Sequence, residues 1–397
     1  MCQAVPRHAL YPVLRACVLL LGAALMPSTT LADSLVYFGT YTKGTSSEGI
    51  YVATLSDDGV LGTPKLAAAL EQPSFVTISP DRPHLYSVME VDVMKTDEFE
   101  AHGTGGVASF AINDDGTLSL LNTRPTGGPG ACYVSITPDG STVMVANYSG
   151  GSVASFPVGD DGSLEPRASF HQHEGGSGVF RNRQNAPHAH CIVPSADNRF
   201  AFVCDLGLDA IKVYRLERSS LQPTDLDVQT SPGGGPRHFA FSPDATRAFA
   251  NLELGNQLVA MSYEAESGRL TIEDTESTLP DDHTGGGTAE CLVHPDGRHV
   301  YVTNRGHDSI AVFDIANASA SPTSPSRTTL SRTQIAPAAG AIPRGFGLTP
   351  DGRFAIVCHQ NSGTVQVFAV EADGSLSPHG EPVALEKAVN ARVLVRD

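Results

Sequence analysis

One unit recurs along this chain: an apolar strand, a Pro-Asp-Gly turn, a second apolar strand, a polar turn, a third apolar strand and an Asp-Gly turn. Clear copies are VSITPDGSTVMVANYSGGSVASFPVGDDGSLEP from Val134, LVHPDGRHVYVTNRGHDSIAVFDI from Leu292 and GLTPDGRFAIVCHQNSGTVQVFAVEADGSLSP from Gly347. Weaker copies begin at Val76, Ile192 and Phe239. The turn prolines, Pro80, Pro138, Pro194, Pro243, Pro295 and Pro350, lie 58, 56, 49, 52 and 55 residues apart. Apolar alternation between turns of this chemistry predicts strands, and no long stretch of helical period competes. A repeat near fifty residues with about four strands per copy predicts an all-β propeller, and the alternation excludes a helical solenoid.

Seven blades are expected, because six copies carry the turn proline and a seventh is split between the two ends. Leu35–Thr42 (LVYFGTYT) and Gly49–Leu55 (GIYVATL) read as second and third strands with no first strand before them. Asn390–Val395 (NARVLV) reads as a first strand with nothing after it. Pairing them closes the ring and leaves no open sheet edge, the usual hazard of β architecture. The expectation is one domain, Asp33–Asp397, with both termini in one blade. Three stretches break the pattern: Val91–Gly106, acidic and Gly-rich; His171–Pro187, Gly- and Arg-rich; and Ala316–Pro337, rich in Ser, Thr and Pro and read as a surface excursion.

Residues 1–32 stand apart. Arg7 and Arg15 form a basic leader, Ala16–Leu25 a short apolar core, and Thr30-Leu31-Ala32 offers small residues for cleavage. This is a secretory signal pattern, too short to span a bilayer, with a membrane anchor as the alternative. The mature chain is expected to be exported, periplasmic or secreted. Cleavage removes two arginines and no acid, taking the formal charge from −17 to −19, so nucleic acid and anionic membranes are poor partners. It also removes Cys2 and Cys17, leaving five cysteines, Cys132, Cys191, Cys204, Cys291 and Cys358, none in a CxxC pair. A disulfide framework or zinc site is not expected. Cys191 and Cys204 flank a turn symmetrically, however, and are expected to face each other across a hairpin, where oxidation after export is an open possibility.

In a propeller the first strand of each blade lines the axis, and loops at one end surround its mouth. Polar residues at the start of first strands, or at second-strand ends, can therefore converge from several blades. His188 and His190 start one first strand, Arg237 and His238 the next, and Arg344 the last. At second-strand ends stand Asn147, Asp205, Glu253, Arg305 and His359, read as one repeat position whose polar identity varies between blades. The stretch His171–Tyr214 adds a polar loop with Arg181 and Arg183 that leads into apolar strands and reads as a rim over the mouth. Each residue alone has a plainer reading: a satisfied strand-end histidine, an arginine capping carbonyls, a buried glutamate that needs an arginine partner. Convergence of opposite charges in one concave mouth favours a site. His188 and His190 could also begin a metal pair, with His171, His173 or Asp205 as a third ligand. No GxSxG elbow, Walker loop or HExxH is present.

These residues, together with FGTYT…EGIY, ANYSGGSV, RQNAPHAH through CDLGLDAIKVY, GGGPRH, NLELGN, TNRGHDSIAVF and PRGF, resemble the seven-bladed propeller lactonases. That group contains the propeller-type 6-phosphogluconolactonase and the carboxy-cis,cis-muconate cyclase, and the resemblance runs from Leu35 to the C-terminus. It implies a catalytic site of one His, two Arg and one Glu near the axis. Arg237 matches the arginine of GPRH, and Glu253, sixteen residues on, matches the glutamate of N-E-L. Arg305 matches the arginine of N-R-G, and His190, with His188 as a near alternative, matches the histidine. This chain departs by reading Asn-Leu-Glu-Leu where the motif often reads Asn-Glu-Leu.

The implied activity is hydrolysis of a sugar-acid or related lactone by acid–base catalysis. Glu253 or His190 would act as base and the other as acid. Arg237 and Arg305 would bind a substrate carboxylate or phosphate and stabilise the oxyanion, with no metal or cofactor required. His188, Asp205, Arg344, His359 and Arg183 are the expected substrate-binding residues. Phosphogluconate lactone is cytosolic, so an exported chain is expected to take another small, anionic lactone. Two alternatives stand beside this: a muconate-type lactonising cycloisomerase, and an exported propeller that binds a ligand or protein without catalysis.

Overall fold

The structure, a computed structural model, describes residues 1–3, 34–80, 83–95, 100–318 and 327–396. Apart from its first three residues, the expected signal peptide lies outside the described residues, and so does Cys17. A compact unit runs from Ala32 to Asp397. Its regular structure, among the described residues, is strand throughout.

Seven antiparallel sheets form the blades, each with four strands in meander order; blade 3 adds the short strand Val228–Gln229. The first strands are Val76–Ile78, Ala131–Ile136, Ala189–Pro194, Pro236–Phe241, Gly287–Val293, Pro343–Leu348 and Ala388–Leu394, for blades 1 to 7. Each touches the first strand of the next blade all the way round, so together they form the wall of the axis. The second strands are buried on both faces, as in Thr142–Asn147 and Phe200–Asp205, because each blade is sandwiched between two others. This is why they read as continuous apolar runs rather than strict alternation.

Blade 7 closes the ring as the split copy implies. Ala388–Leu394 supplies its first strand, and Ser34–Thr40, Gly49–Leu55 and Lys65–Ala69 supply the others. Leu35 pairs with Leu394 and Phe38 with Ala391. Asn390 then ties the closing blade to blade 1 by accepting a hydrogen bond from Val76 N at 3.0 Å.

The turns follow from their residues. Gly140, Gly297 and Gly352 of the Pro-Asp-Gly turns have φ of 69°, 72° and 76°, the left-handed region that glycine enters at least cost. The preceding aspartate caps the turn; Asp139, for example, accepts hydrogen bonds from Thr137 Oγ1 at 2.7 Å and Ser141 N at 3.0 Å. Blade 3 corrects the repeat reading. There Ser195 donates to Asp197 at 2.6 Å in the role of Thr137, so Ala196, not Pro194, holds the proline position. The Asp-Gly turns join neighbouring blades. Tyr37, Tyr86 and Tyr301 donate to the carbonyls of Gly116, Gly162 and Gly374 at 2.9, 3.1 and 2.9 Å, each in the following blade.

Two of the interrupting stretches are more regular than expected. In Val91–Gly106, Val93–Lys95 pairs with Glu100–His102. Ala316–Pro337 is not simply an excursion, since Ser309–Ala318 and Arg327–Pro337 run as one ladder from Ser309↔Pro337 to Ala318↔Arg327, and residues 319–326 lie outside the described residues. Cys191 stands directly opposite Cys204, and both are free, buried thiols.

The feature that shapes the axis is a break in register. The first and second strands of blades 2 to 6 shift between Ala131 and Tyr133, Ala189 and Cys191, Pro236 and His238, Thr288 and Cys291, and Pro343 and Gly345. A bulge of this kind inserts an unpaired residue and re-aims its side chain. The skipped residues include Cys132, His190, Arg237 and Arg344. Close packing of neighbouring first strands leaves little slack beside them: a Cβ on Gly345 would lie 2.6 Å from the backbone of Val389 and Asn390 in blade 7. Gly345→Ala is therefore expected to cost about 1–3 kcal/mol by overpacking, measured as a lower melting temperature or denaturant midpoint.

Candidate active site

Two rings of residues from successive blades meet at one mouth of the axis. The first is the bulge ring just described. The second is the residue that follows each second strand. Tyr41, Glu90, Tyr148, Leu206, Glu253 and Gln360 all donate their backbone N–H to the chain just ahead of, or at the start of, their own first strand: to Lys387, Gln72, Gly130, His188, Gly235 and Ile342, at 2.7–3.1 Å. Arg305 occupies the same place, paired with Gly287.

Some side chains of both rings, with Arg183 from a loop, bound a cavity of about 250 Å³: Glu90, Cys132, Tyr148, Arg183, His190, Glu253, Arg305 and Arg344. A much smaller void of about 10 Å³ shares Glu90, Cys132, His190 and Arg344 with it and adds Tyr41, Ser74, Arg237, His238 and Glu290. That is about the space one water occupies. Glu290 Oε2, in its wall, is buried without a hydrogen-bond partner.

Glu253 is the electrostatic centre. Its Oε1 accepts from Arg183 at 2.6 Å, and its Oε2 lies 3.0 Å from both Arg237 Nε and Arg305. Burial alone would raise its pKa, but Arg305, Arg237 and Arg183 outweigh burial and bring it to about 2. Burial pulls Arg305 the other way, to about 10, against the support of Glu253. Backbone carbonyls complete the arginines: Arg305 donates to Thr288 at 2.8 Å and Arg237 to Ala289 at 2.5 Å.

Arg183 comes from the polar loop between blades 2 and 3. Gln184, fully buried beside it, anchors that loop by donating to Leu206 O at 2.9 Å and Asp209 at 2.6 Å. Asp209 in turn accepts from Gly233 N and Gly235 N at 2.7 and 2.8 Å. The loop therefore covers part of the mouth with its one inward arginine held in place. Arg183 also donates to the Tyr148 hydroxyl at 3.1 Å.

His190 is 5% exposed. Burial, and then the charge of Arg237, hold its pKa well below the ordinary histidine value, so it is a neutral imidazole at neutral pH. It meets Tyr148 and His238 edge-on, with ring centres 5.2 and 5.3 Å apart. Arg344 lies over the Tyr41 ring at 5.5 Å. Among the described residues it forms no ion pair, and it is thus a free cation facing the cavity.

The structure gathers His190, Arg237, Glu253, Arg305, Arg344 and Arg183 around this mouth. His188 is near but works on a neighbour: its ring stacks on Tyr148 at 4.6 Å and its Nδ1 donates to the Tyr148 carbonyl at 2.9 Å. His188 is not among the cavity's lining residues, and neither are two other expected binding residues. Asp205 is fully buried inside blade 3, accepting from His173 at 2.6 Å, from His188 N at 2.8 Å and from Gly207 N and Leu208 N. His359 is spent between Ala338 O at 2.6 Å and Thr364 Oγ1 at 3.2 Å. Both stand one residue before the ring position, where the side chain secures the strand end rather than the mouth. Because His173 and Asp205 bond each other, neither is free to extend a His188–His190 metal pair. Among the described residues no group of three or more His, Cys, Asp or Glu side chains could hold a metal ion. The sequence reading missed Glu90, Tyr41 and Tyr148. Counting ten residues on from each turn proline, with Ala196 in place of Pro194, lands on Glu90, Tyr148, Leu206, Glu253, Arg305 and Gln360.

Residues 35–393 match the family model described as Lactonase, 7-bladed beta-propeller. The chain is 35% identical over 335 residues to a 6-phosphogluconolactonase of Bacillus subtilis, covering 84% of this chain and 90% of that one. Among solved structures it resembles a putative 6-phosphogluconolactonase from Bacteroides fragilis, with a TM-score of 0.81 and 30% identity, covering 93% of this chain and all of the other. It also resembles a periplasmic gluconolactonase from Pseudomonas aeruginosa, with a TM-score of 0.81 and 33% identity over 92% of this chain.

Two measurable consequences follow from the buried charges. Removing the Glu253 charge leaves three guanidinium groups packed without their anion. Glu253→Gln is therefore expected to lower stability by about 3–5 kcal/mol, and not only to impair activity. Thermal melting against wild type checks this. Burial also lowers His238 from 6.5 to about 4, with Glu290, Arg237 and Arg392 around it. The unfolded chain takes up that proton near pH 6.5 while the folded chain resists, so stability falls as pH drops from about 6.5 towards 4. This group contributes on the order of 3 kcal/mol to the fall. The melting temperature should decline over that window, and less steeply in His238→Asn.

Proposed function

The chain belongs to the seven-bladed β-propeller lactonase family, and from that membership we propose that it hydrolyses a small, anionic lactone of the sugar-acid type. The observation that carries this reading is a neutral, buried imidazole facing a 250 Å³ cavity together with arginines that outnumber its ionised carboxylates. A cavity of that size suits one sugar-sized ring. Arg344, which has no ion pair among the described residues, and Arg305, shared with Glu253, offer charge to a substrate carboxylate or phosphate and to the oxyanion. The protein as a whole is acidic, at −17, so the basic mouth is a local feature that draws an anion out of an otherwise repelling field.

His190 is the better base of the two candidates. A carboxylate with a pKa of about 2 holds protons poorly, and every oxygen of Glu253 is already claimed by arginine. In this mechanism a water attacks the lactone carbonyl and passes a proton to the His190 imidazole. The oxyanion that forms is held by arginine, and the ring C–O bond then breaks to release a hydroxy acid. Glu253 serves as the fixed anion that keeps Arg183, Arg237 and Arg305 aimed. The leader pattern of residues 1–32 supports action outside the cytosol, where the substrate differs from phosphogluconate lactone, and a relative named as a periplasmic gluconolactonase fits that placement.

A pH-stat screen of aldonolactones and muconolactones tests the proposal directly; absence of turnover on all of them would sink it. With an active lactone in hand, His190→Asn should lower kcat by about 10²–10⁴-fold. Arg344→Met should raise KM for lactones that carry a carboxylate or phosphate while sparing neutral ones.

A further inference from the structure

Lactone opening needs a proton for the departing ring oxygen, and the arrangement around Glu253 does not supply one. A second carboxyl faces the same cavity. Glu90 follows the second strand of blade 1, at the repeat position that Glu253 fills in blade 4, and it lines both the cavity and the small void beneath it. No arginine, lysine or histidine forms an ion pair with it among the described residues. Its Oε2 accepts a hydrogen bond from the Tyr41 hydroxyl at 3.1 Å. His190 borders both spaces with it, so a lactone in the cavity would have the imidazole and this carboxyl within the same walls.

Resting on the lactonase reading, we propose that Glu90 is the acid that protonates the departing ring oxygen, with the Tyr41 hydroxyl positioning its carboxyl. The step balances. Water forms the new C–O bond and loses one proton to His190. The ring C–O bond breaks, and its electron pair takes the proton from Glu90. The imidazolium then returns its proton to the Glu90 carboxylate, directly or through water, which resets both groups. Burial raises the Glu90 pKa, opposed by the charge of Arg344 and by hydrogen bonds from Ser74 and Tyr41, so the protonated form from which the cycle starts is more favoured here than in a free glutamate. Tyr41, Ser74, Arg344 and Arg237 act on it directly; Cys132, His190, His238 and Glu290 share the small void with it, and Tyr148, Arg183, Glu253 and Arg305 share the cavity.

The test uses Glu90→Gln, a neutral replacement of the same shape that keeps an oxygen able to accept from the Tyr41 hydroxyl. Its kcat on an aliphatic lactone should fall by about 10²–10⁴-fold with KM little changed, and the alkaline limb of its pH–kcat profile should disappear. Infrared difference spectra of wild type against this variant at neutral pH should show the carbonyl stretch of one protonated carboxylic acid. Wild-type kcat in the variant, or an unchanged alkaline limb, would overturn the proposal. So would a carboxylate band in place of the acid band. A wild type that opens no lactone would overturn both the lactonase reading and the proton transfer. The infrared band tells that case apart, because it reports the Glu90 proton without turnover.

Discussion

Three guanidinium groups share one carboxylate, and the mouth of this propeller depends on that contact. Glu253 comes from the second-strand end of blade 4, Arg237 from the first strand of the same blade, Arg305 from blade 5, and Arg183 from the loop between blades 2 and 3. None of these groups could be taken from water alone without a large desolvation cost. Together they leave the site cationic, yet with a fixed anion close enough to hold each arginine in one orientation. The same carboxylate links two blades and a covering loop, so the stability of the axis and the aim of the site rest on one set of contacts. A ring closed by pairing its two ends, Leu35 with Leu394, gives those contacts a frame that cannot splay.

Most of the fold was legible in the sequence, because its signals are local. Glycine with positive φ after Pro-Asp, apolar runs of strand length and a lone first strand at the C-terminus each have a direct structural cause. The site was legible in part. His190, Arg237 and Arg344 stand out as polar residues opening first strands. The bulges that expose them are not visible in residue type, and each bulge shifts the two-residue alternation by one place. Asp205 and His359 look like ring members for a simpler reason, being polar residues at the ends of second strands. They occupy the last paired position of their strands, and the ring residue is the next one, Leu206 or Gln360. Glu253 and Arg305 stand ten residues after their turn prolines, at the ring position itself, so the second-strand-end reading and the family motif point to the same two residues. Glu90 and Tyr41 escaped for a different reason: they come from the two least regular copies, a blade whose first strand is only Val76–Ile78 and the blade assembled from both termini.

Once the repeat is in register, the chemistry can be compared blade by blade. Glu90 and Glu253 hold the same backbone position, with the same hydrogen bond behind each, and burial raises the pKa of both. Their surroundings then drive them apart. Glu253 meets three arginines and falls to about 2; Glu90 meets the hydroxyls of Tyr41 and Ser74 and two arginines, Arg344 and Arg237, that form no ion pair with it among the described residues, and stays raised. One position in a repeating architecture thus yields a permanent anion in one blade and a carboxyl of raised pKa in another, decided by which residues the neighbouring strands and loop turn inward. A separation of this kind between two carboxyls in one cavity is how a site assigns electrostatic and proton-transfer roles to the same functional group. The neutral imidazole of His190 completes the division of labour, because a base, an acid and a fixed counter-charge are then held by three different side chains.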